Sequence, residues 1–271
     1  MNYRKLEIKI KKKLNSDFLG SFNSAFKWLW VEFDSLREYV LWDNTKSIDW
    51  KTTAKKWELF VKNYEEEKDL KILFIFDKND NLNFWSEKQS KKEVLSEIFF
   101  LLAYSWISLW HSIWTLINGN FIDFKKNEEN IIKTFKYLEN NKIKKLSWET
   151  NNKIIKNLNI KNTLIFYITD NLEPNLSELK YLNVSNEIIY INNFDFFENN
   201  LSDDDFSINL IWTNFISLLL WKNNKTKVDN YRQFRKDKIN NLSLTLRKQR
   251  IWYLKIDNRD DIFLNFYKLF S

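Results

Sequence analysis

The chain contains no cysteine, one histidine, one proline and two glycines in 271 residues. Without cysteine, disulfides, thiolate metal sites and a cysteine nucleophile are excluded. The single imidazole, His111, rules out clusters of histidine ligands, and a Ser-His-Asp site would have to use that residue. It sits in Leu109-Trp110-His111-Ser112-Ile113, and no nucleophile elbow occurs anywhere in the chain, so it reads as a packed strand histidine. No P-loop, Gly-rich dinucleotide motif or zinc signature is present, and placing glycine at the tryptophan positions creates none.

The shortage of glycine stands beside 13 tryptophans. Ordinary usage of about 7% glycine would put roughly 19 in a chain of this length, and the glycine and tryptophan counts together come close to that. Several tryptophans stand where a loop or turn is expected, although tryptophan is a poor turn residue: Trp28-Leu29-Trp30, Trp42-Asp43-Asn44 and Trp85-Ser86-Glu87. The composition therefore predicts a gene in which UGA is read as glycine, translated here as tryptophan. Codons test this directly: UGG at both Trp42 and Trp50 refutes it, whereas UGA at Trp42 with UGG at Trp50 supports it.

What the chain does have is length for one large domain, or a domain with an appendage, and a sizeable core. The formal net charge of +7 comes from lysines spread along the chain. No run interleaves basic and aromatic residues as a stacking platform for nucleic acid would, so no specific nucleic-acid binding is expected.

The organising stretch is Leu70–Asn81. Ile72, Leu73, Phe74, Ile75 and Phe76 form a continuous apolar run, the pattern of a parallel strand buried on both faces. Asp77, Asn79 and Asn81 follow at every second position, so in an extended loop their oxygens converge from one side at the strand's carboxyl end. Open α/β sheets hold ligands there. Two readings of the stretch stand side by side, a hard-cation site and a polar turn after a buried strand.

Around this strand the pattern predicts a basic amphipathic helix over Tyr3–Leu14, with Leu6, Ile10 and Leu14 inward and packed on the domain, and no signal-peptide core before it. A core-facing helix is expected over Glu87–Tyr104, ending near Ser105, then a loop and a buried strand through Ile117. The uncharged run Ile98–Ile117 also has the length of a membrane span, which would make a membrane-anchored scaffold; glycine at positions 106, 110 and 114 would remove that reading. Asn118-Gly119 predicts a hairpin into an antiparallel edge strand over Phe121–Phe124. Further elements are a helix over Glu128–Leu138, one opening at Leu146–Thr150, a buried strand Thr163–Thr169 ending at Asp170, a helix Leu176–Leu182 and a strand Ile188–Ile191. Asp203–Asp205 reads as a solvated loop, and Ile208–Leu220 and Trp221–Val228 as strands of an insertion at about 206–228. The chain closes with a basic helix Tyr231–Leu246, a strand Ile251–Ile256 and a helix Asp260–Phe270. Strands alternating with helices give a doubly wound, mostly parallel α/β sheet with helices on both faces and an N-terminal appendage. The division expected is 1–67 and 68–271.

Residues Val31–Glu67 read Val-Glu-Phe-Asp-Ser-Leu-Arg-Glu-Tyr-Val-Leu-Trp-Asp-Asn, then Ser-Ile-Asp-Trp-Lys-Thr-Thr-Ala-Lys, then Leu-Phe-Val-Lys-Asn-Tyr-Glu-Glu-Glu. This resembles the bacterial family known as domain of unknown function fifty-eight, whose pattern runs Gly-x-Gly-x-Glu-Phe-x-x-x-Arg-x-Tyr, Gly-Asp, Ile-Asp-Trp. Glu32, Phe33, Arg37, Tyr39, Asp43, Asp49 and Trp50 match it, while Trp28, Trp30 and Trp42 occupy its glycine positions. Arg37, Asp43 and Asp49 are expected to form an ion network pinning this segment to the main domain, or else a partner surface.

The resemblance implies a von Willebrand A-like, Rossmann-type domain. It also implies a metal-ion-dependent adhesion site made of an Asp-x-Ser-x-Ser loop, a threonine and a further aspartate. Asp77, Thr150 and Asp170 match the outer parts of that pattern, whereas Asn79 and Asn81 replace its serines and weaken the expected Mg²⁺ site. It further implies a non-enzymatic cytoplasmic module that partners a MoxR-type AAA+ ATPase in protein assembly or maturation. The alternative from another class is a Mg²⁺-dependent hydrolase using Asp77 and Asp170.

Overall fold

The computed structural model describes residues 3–14, 16–26, 31–66, 71–77, 89–109, 111–124, 128–139, 154–155, 160–199 and 225–270. Its centre is the predicted strand, β3 (Lys71–Phe76), whose five apolar residues are wholly buried. Side chains alternate across a strand, so Ile72, Phe74 and Phe76 enter one core and Leu73 and Ile75 the other. A strand apolar on both faces can only sit between two layers.

The first layer begins with α1 (Tyr3–Lys13) and α2 (Ser16–Phe26), the latter singled out by no pattern in the sequence. As predicted for α1, Leu6 and Ile10 are buried, and they join Phe18 and Phe22 of α2 in the first core. The Tyr3 and Tyr104 hydroxyls hydrogen-bond at 2.9 Å, and Lys9 Nζ pairs with Glu97 at 2.6 Å.

An antiparallel pair follows, β1 (Val31–Glu38) with β2 (Phe60–Glu66), separated by a short 3-10 turn and α3 (Trp50–Lys56). Two tryptophans here have left-handed backbones. Trp42 has φ 96° and is 98% exposed; Trp57, the C-cap of α3, has φ 59° and is 93% exposed. Left-handed backbone suits glycine.

After β3 comes α4 (Lys91–Ser108), started by a capping box in which Ser90 and Glu93 satisfy each other's backbone N–H groups. The helix runs past the expected end near Ser105. Trp106 is helical and fully buried, its ring 4.7 Å from Phe22 and 5.4 Å from His111, so packing carries α4 another turn. His111, predicted to be packed, is buried at the start of β4 (Ser112–Ile117). The run 98–117 is thus a helix and a strand, and among the described residues no helix is long and apolar enough to cross a membrane. Asn118 (φ 43°) and Gly119 (φ 83°) make the predicted hairpin into β5 (Asn120–Phe124).

The chain continues through α5 (Glu128–Glu139), β6 (Thr163–Thr169), α6 (Leu176–Leu182), β7 (Glu187–Phe194) and the one-turn α7 (Phe196–Asn199). It ends with α8 (Lys225–Lys248), β8 (Trp252–Asp257) and α9 (Ile262–Phe270). Lys225–Val228 is helical, where a strand was expected, and the remainder of that insertion lies outside the described residues.

The main sheet has the order β5-β4-β3-β6-β7-β8, parallel except for the edge strand β5. Helices α1, α2, α4, α5 and α9 cover one face, and α6 and α8 the other. This is the doubly wound α/β architecture. From β3 the chain moves first to β4 on one side and later to β6 on the other, which puts the topological switch point at the carboxyl end of β3.

Candidate metal centre at the carboxyl edge of the sheet

Asp77 follows β3 directly at that switch point. Its backbone N–H bonds Ile168 O at 3.2 Å, extending the ladder by one residue and placing Asp77 beside Thr169 of β6. The Thr169 hydroxyl donates to Asp77 Oδ2 at 3.3 Å. Thr169 pairs in register with Asn192 of β7, and Asn192 with Lys255 of β8. A polar row therefore runs across the end of the sheet on the α6 and α8 face: Asp77, Thr169, Asn192, Lys255.

Asn192 fixes the turn after β6, donating to Asn171 O at 2.9 Å and Thr169 O at 3.3 Å. The Tyr190 hydroxyl donates to the same Asn171 carbonyl at 2.8 Å, and Asn171 N–H to Thr169 Oγ1 at 3.0 Å. A loop held at several points keeps Thr169 and Asp170 in place without relying on its own flexibility.

Asp170, one residue further, turns to the opposite face and meets Lys91 Nζ at 3.3 Å. Lys91 is the first residue of α4, 1% exposed, and it also pairs with Glu198 of α7. Glu198 in turn accepts from Arg235 Nη2 of α8 at 3.2 Å. All four of these charged residues are buried. Burial pulls the Lys91 ammonium down, but the charges of Glu198 and Asp170 outweigh it and raise its pKa. Asn193 anchors the Lys91 backbone, donating to its carbonyl at 2.7 Å, and Asn258 joins Asp195 at 3.0 Å to Gln89 O at 3.3 Å. An ion cluster of this depth holds only while every member stays paired.

Burial, and then the nearby charge of Asp170, raise the Asp77 carboxyl pKa above its ordinary value, against a smaller lowering by the Thr169 hydroxyl. Asp77 in turn helps to push the buried Tyr167 and Tyr190 phenols upward, after burial itself. A buried carboxyl whose ionisation a neighbouring carboxylate opposes, with the Thr169 hydroxyl beside it, has the chemistry a hard divalent cation relieves. The Asn192 Oδ1 atom is buried without a hydrogen-bond partner among the described residues, one more oxygen in the same row. Those residues nevertheless gather no group of three or more acidic or histidine ligands. Lys91 already neutralises part of Asp170, so Asp77 carries the greater share of any cation's attraction. Of the predicted ligands, Asp77 and Asp170 stand at the ends of neighbouring strands with their side chains toward opposite faces, while Asn79, Asn81 and Thr150 lie outside the described residues.

The family-signature residues lie on β1, in the turn after it and at the start of α3. Arg37 grips Asp43 bidentately, Nη1 to Oδ2 at 2.7 Å and Nη2 to Oδ1 at 2.6 Å, and Val40 N–H adds a bond at 2.8 Å. The guanidinium first, then the Val40 amide, hold the Asp43 carboxyl down to about 2. Asp49 does not share this pair. It caps α3, accepting from Lys51 N–H at 3.1 Å and Thr52 Oγ1 at 3.0 Å. The Arg37–Asp43 pair lies within the segment itself, so the expected three-residue network is instead a turn clamp and a helix cap. Tyr39 is half-buried and its N–H bonds Leu59 O at 2.8 Å; Trp50 opens α3 and is exposed. Glu32 and Phe33 lie in β1, paired with Glu65 and Tyr64 of β2.

Sequence reasoning missed Lys91, Glu198, Arg235 and the row residues Asn192 and Lys255. The Ser90-x-x-Glu93 capping signature marks where α4 starts, and Asn192-Asn193 at the end of an apolar strand repeats the signal that singled out Asp77.

No curated protein and no solved structure matches the chain. A family model described as "Protein of unknown function DUF58" matches residues 35–207, more than half of the chain. That span takes in the Arg37–Asp43 clamp, the switch-point strand and the Asp77–Asp170 edge, and the chain belongs to the DUF58 family.

Proposed function

We propose that this chain is a non-enzymatic, metal-dependent interaction module. Mg²⁺ at the carboxyl edge would be held by Asp77, Asp170 and Thr150, with Asn79 and Asn81 in place of hydroxyl ligands. The observation that carries the reading is the raised Asp77 carboxyl opposed by Asp170 at the switch point, a site whose charge a cation completes. A cation bound only at one edge of the sheet keeps a position open, and an acidic side chain of a partner fills it. The family resemblance supports a MoxR-type AAA+ ATPase as that partner, with the pair acting in assembly or maturation of other proteins in the cytoplasm.

Pull-down of the tagged chain from native lysate, eluted with chelator, tests this. The expected result is a MoxR-type ATPase held by wild type in Mg²⁺, released by chelator and absent with Thr150→Ala. Capture that ignores both chelator and mutation would move the interface to the β1–β2 surface. Phosphatase activity that disappears in Asp77→Ala would replace the module with a metal-assisted hydrolase.

A further inference from the structure

A cavity of about 520 Å³ lies between α8 and the carboxyl end of β8. Its wall carries four cations, Arg232, Arg235, Lys236 and Lys255, against the single carboxylate Asp229, with the Gln233 amide among them. Arg232 is paired with Asp229 at 2.8 Å and Arg235 with Glu198 at 3.2 Å. Among the described residues Lys236 and Lys255 have no ion pair; Lys255 Nζ lies 5.3 Å from the Phe194 ring, with the Arg235 guanidinium 5.5 Å from the same ring. Arg232 and Arg235 are thus each ion-paired within the fold, and the wall carries one further lysine on α8, Lys236, and one on β8, Lys255.

We propose that this cavity takes an acidic segment of the partner protein, an extended run of aspartate or glutamate residues. The proposal deepens the reading above and rests on it. Three features choose this ligand. The lining extends along α8 from Asp229 to Asn240, about 16 Å at 1.5 Å per residue, the reach of about five extended residues rather than of a point anion. The available charges are ammonium groups, and Asp229 in the wall disfavours a multiply charged phosphate more than a row of single carboxylates. Lys255 also ends the row that begins at Asp77, three strands away at about 4.8 Å per strand, or about 14 Å. One extended segment spans both places with acidic residues about four positions apart, one over the metal edge and the rest in the cavity.

The test uses the full chain and a fluorescent hexaglutamate peptide, followed by anisotropy in chelator so that the metal edge plays no part. Wild type is expected to bind hexaglutamate and not hexaglutamine, with binding falling steeply as salt shortens the screening length. Lys236→Ala/Lys255→Ala should bind about tenfold more weakly, the size of two partly screened ion pairs, and Lys236→Arg/Lys255→Arg should restore binding. Equal binding by wild type and the alanine variant would refute the site and leave only diffuse attraction to the net positive charge. Displacement by inorganic triphosphate at lower concentration than by unlabelled peptide would reassign it to polyphosphate. Hexaglutamate binding that is absent in wild type and appears only in Asp203→Asn/Asp204→Asn/Asp205→Asn would give the cavity to the chain's own acidic run. Capture of the ATPase is measured separately in Mg²⁺, so peptide binding kept while Mg²⁺-dependent capture is lost condemns the metal reading alone, and the converse condemns the cavity alone.

Discussion

Trp42→Gly should make the protein more stable, although it removes the largest side chain and replaces it with none. The Asp43 N–H bonds Val40 O at 3.0 Å, so Val40–Asp43 is a β-turn with Trp42 at its third position and φ 96°. Type II turns give that position to glycine. For an L-residue the left-handed backbone costs roughly 1–2 kcal/mol, while glycine gives back about 0.5–1 kcal/mol through the freedom of the unfolded chain. The indole is 98% exposed, so its removal forfeits no burial. Trp57 repeats the case at a helix C-cap with φ 59° and 93% exposure. The double variant should gain about 1–2 kcal/mol net, and at about 2–4 °C per kcal/mol for a chain of this size its melting temperature should rise by several degrees. Trp106→Gly should go the other way by about 4 kcal/mol or more, because Trp106 is fully buried inside α4 between Phe22 and His111. Thermal unfolding of the three proteins decides it. A fall in melting temperature for Trp42→Gly/Trp57→Gly would refute the reasoning, and with it the case that UGA encodes glycine at these two positions; sequencing the codons gives the independent answer.

Asp77 binds its proton more tightly folded than unfolded, so its ionisation costs stability that is absent below the ordinary carboxylate range and complete above its raised folded pKa. Asp77→Asn should therefore raise the melting temperature at pH 7, show no advantage in acid, and abolish any stabilisation of the wild type by added Mg²⁺. Lys91→Ala should destabilise by about 3–5 kcal/mol in urea unfolding, since the buried carboxylates Glu198 and Asp170 then lose the ammonium between them; an effect under 1 kcal/mol would mean that water reaches the cluster. The Asp43 carboxyl should titrate near 2 by NMR and rise toward the ordinary range in Arg37→Gln, where only the Val40 N–H bond still lowers it, its share of stability being present above the ordinary range and lost as the pH falls through about 2.

Legibility varied with the distance over which each feature is made. Strands β3 and β6 stood out because a parallel strand covered on both faces must be apolar at every position, a signal contained in six or seven consecutive residues. The Asn118-Gly119 hairpin was equally local, its two left-handed residues naming the turn. Asp77 and Asp170 were visible as polar stops after such runs. The expected end of α4 near Ser105 failed because a tryptophan thought to stand in a loop is held in the helix by Phe22, which is 84 positions away. The joint ion network of Arg37, Asp43 and Asp49 failed for a smaller reason: both Asp49 side-chain oxygens accept from donors in its own helix turn.

From order and composition alone follow the alternation of strands and helices, the doubly wound class, the excluded chemistries and the two carboxylates at strand ends, because each is written in neighbouring residues or in what the chain lacks. The charge environment of those carboxylates belongs to the folded chain. Lys91 reaches Asp170 across 79 positions and Glu198 across 107, and Arg235 reaches Glu198 across 37. The alignment of Thr169, Asn192 and Lys255 into one row exists only once three strands lie in register. A buried lysine looks like any surface lysine in sequence. It is the closing of the sheet that removes it from water and makes the acids around it partners instead of solvated charges.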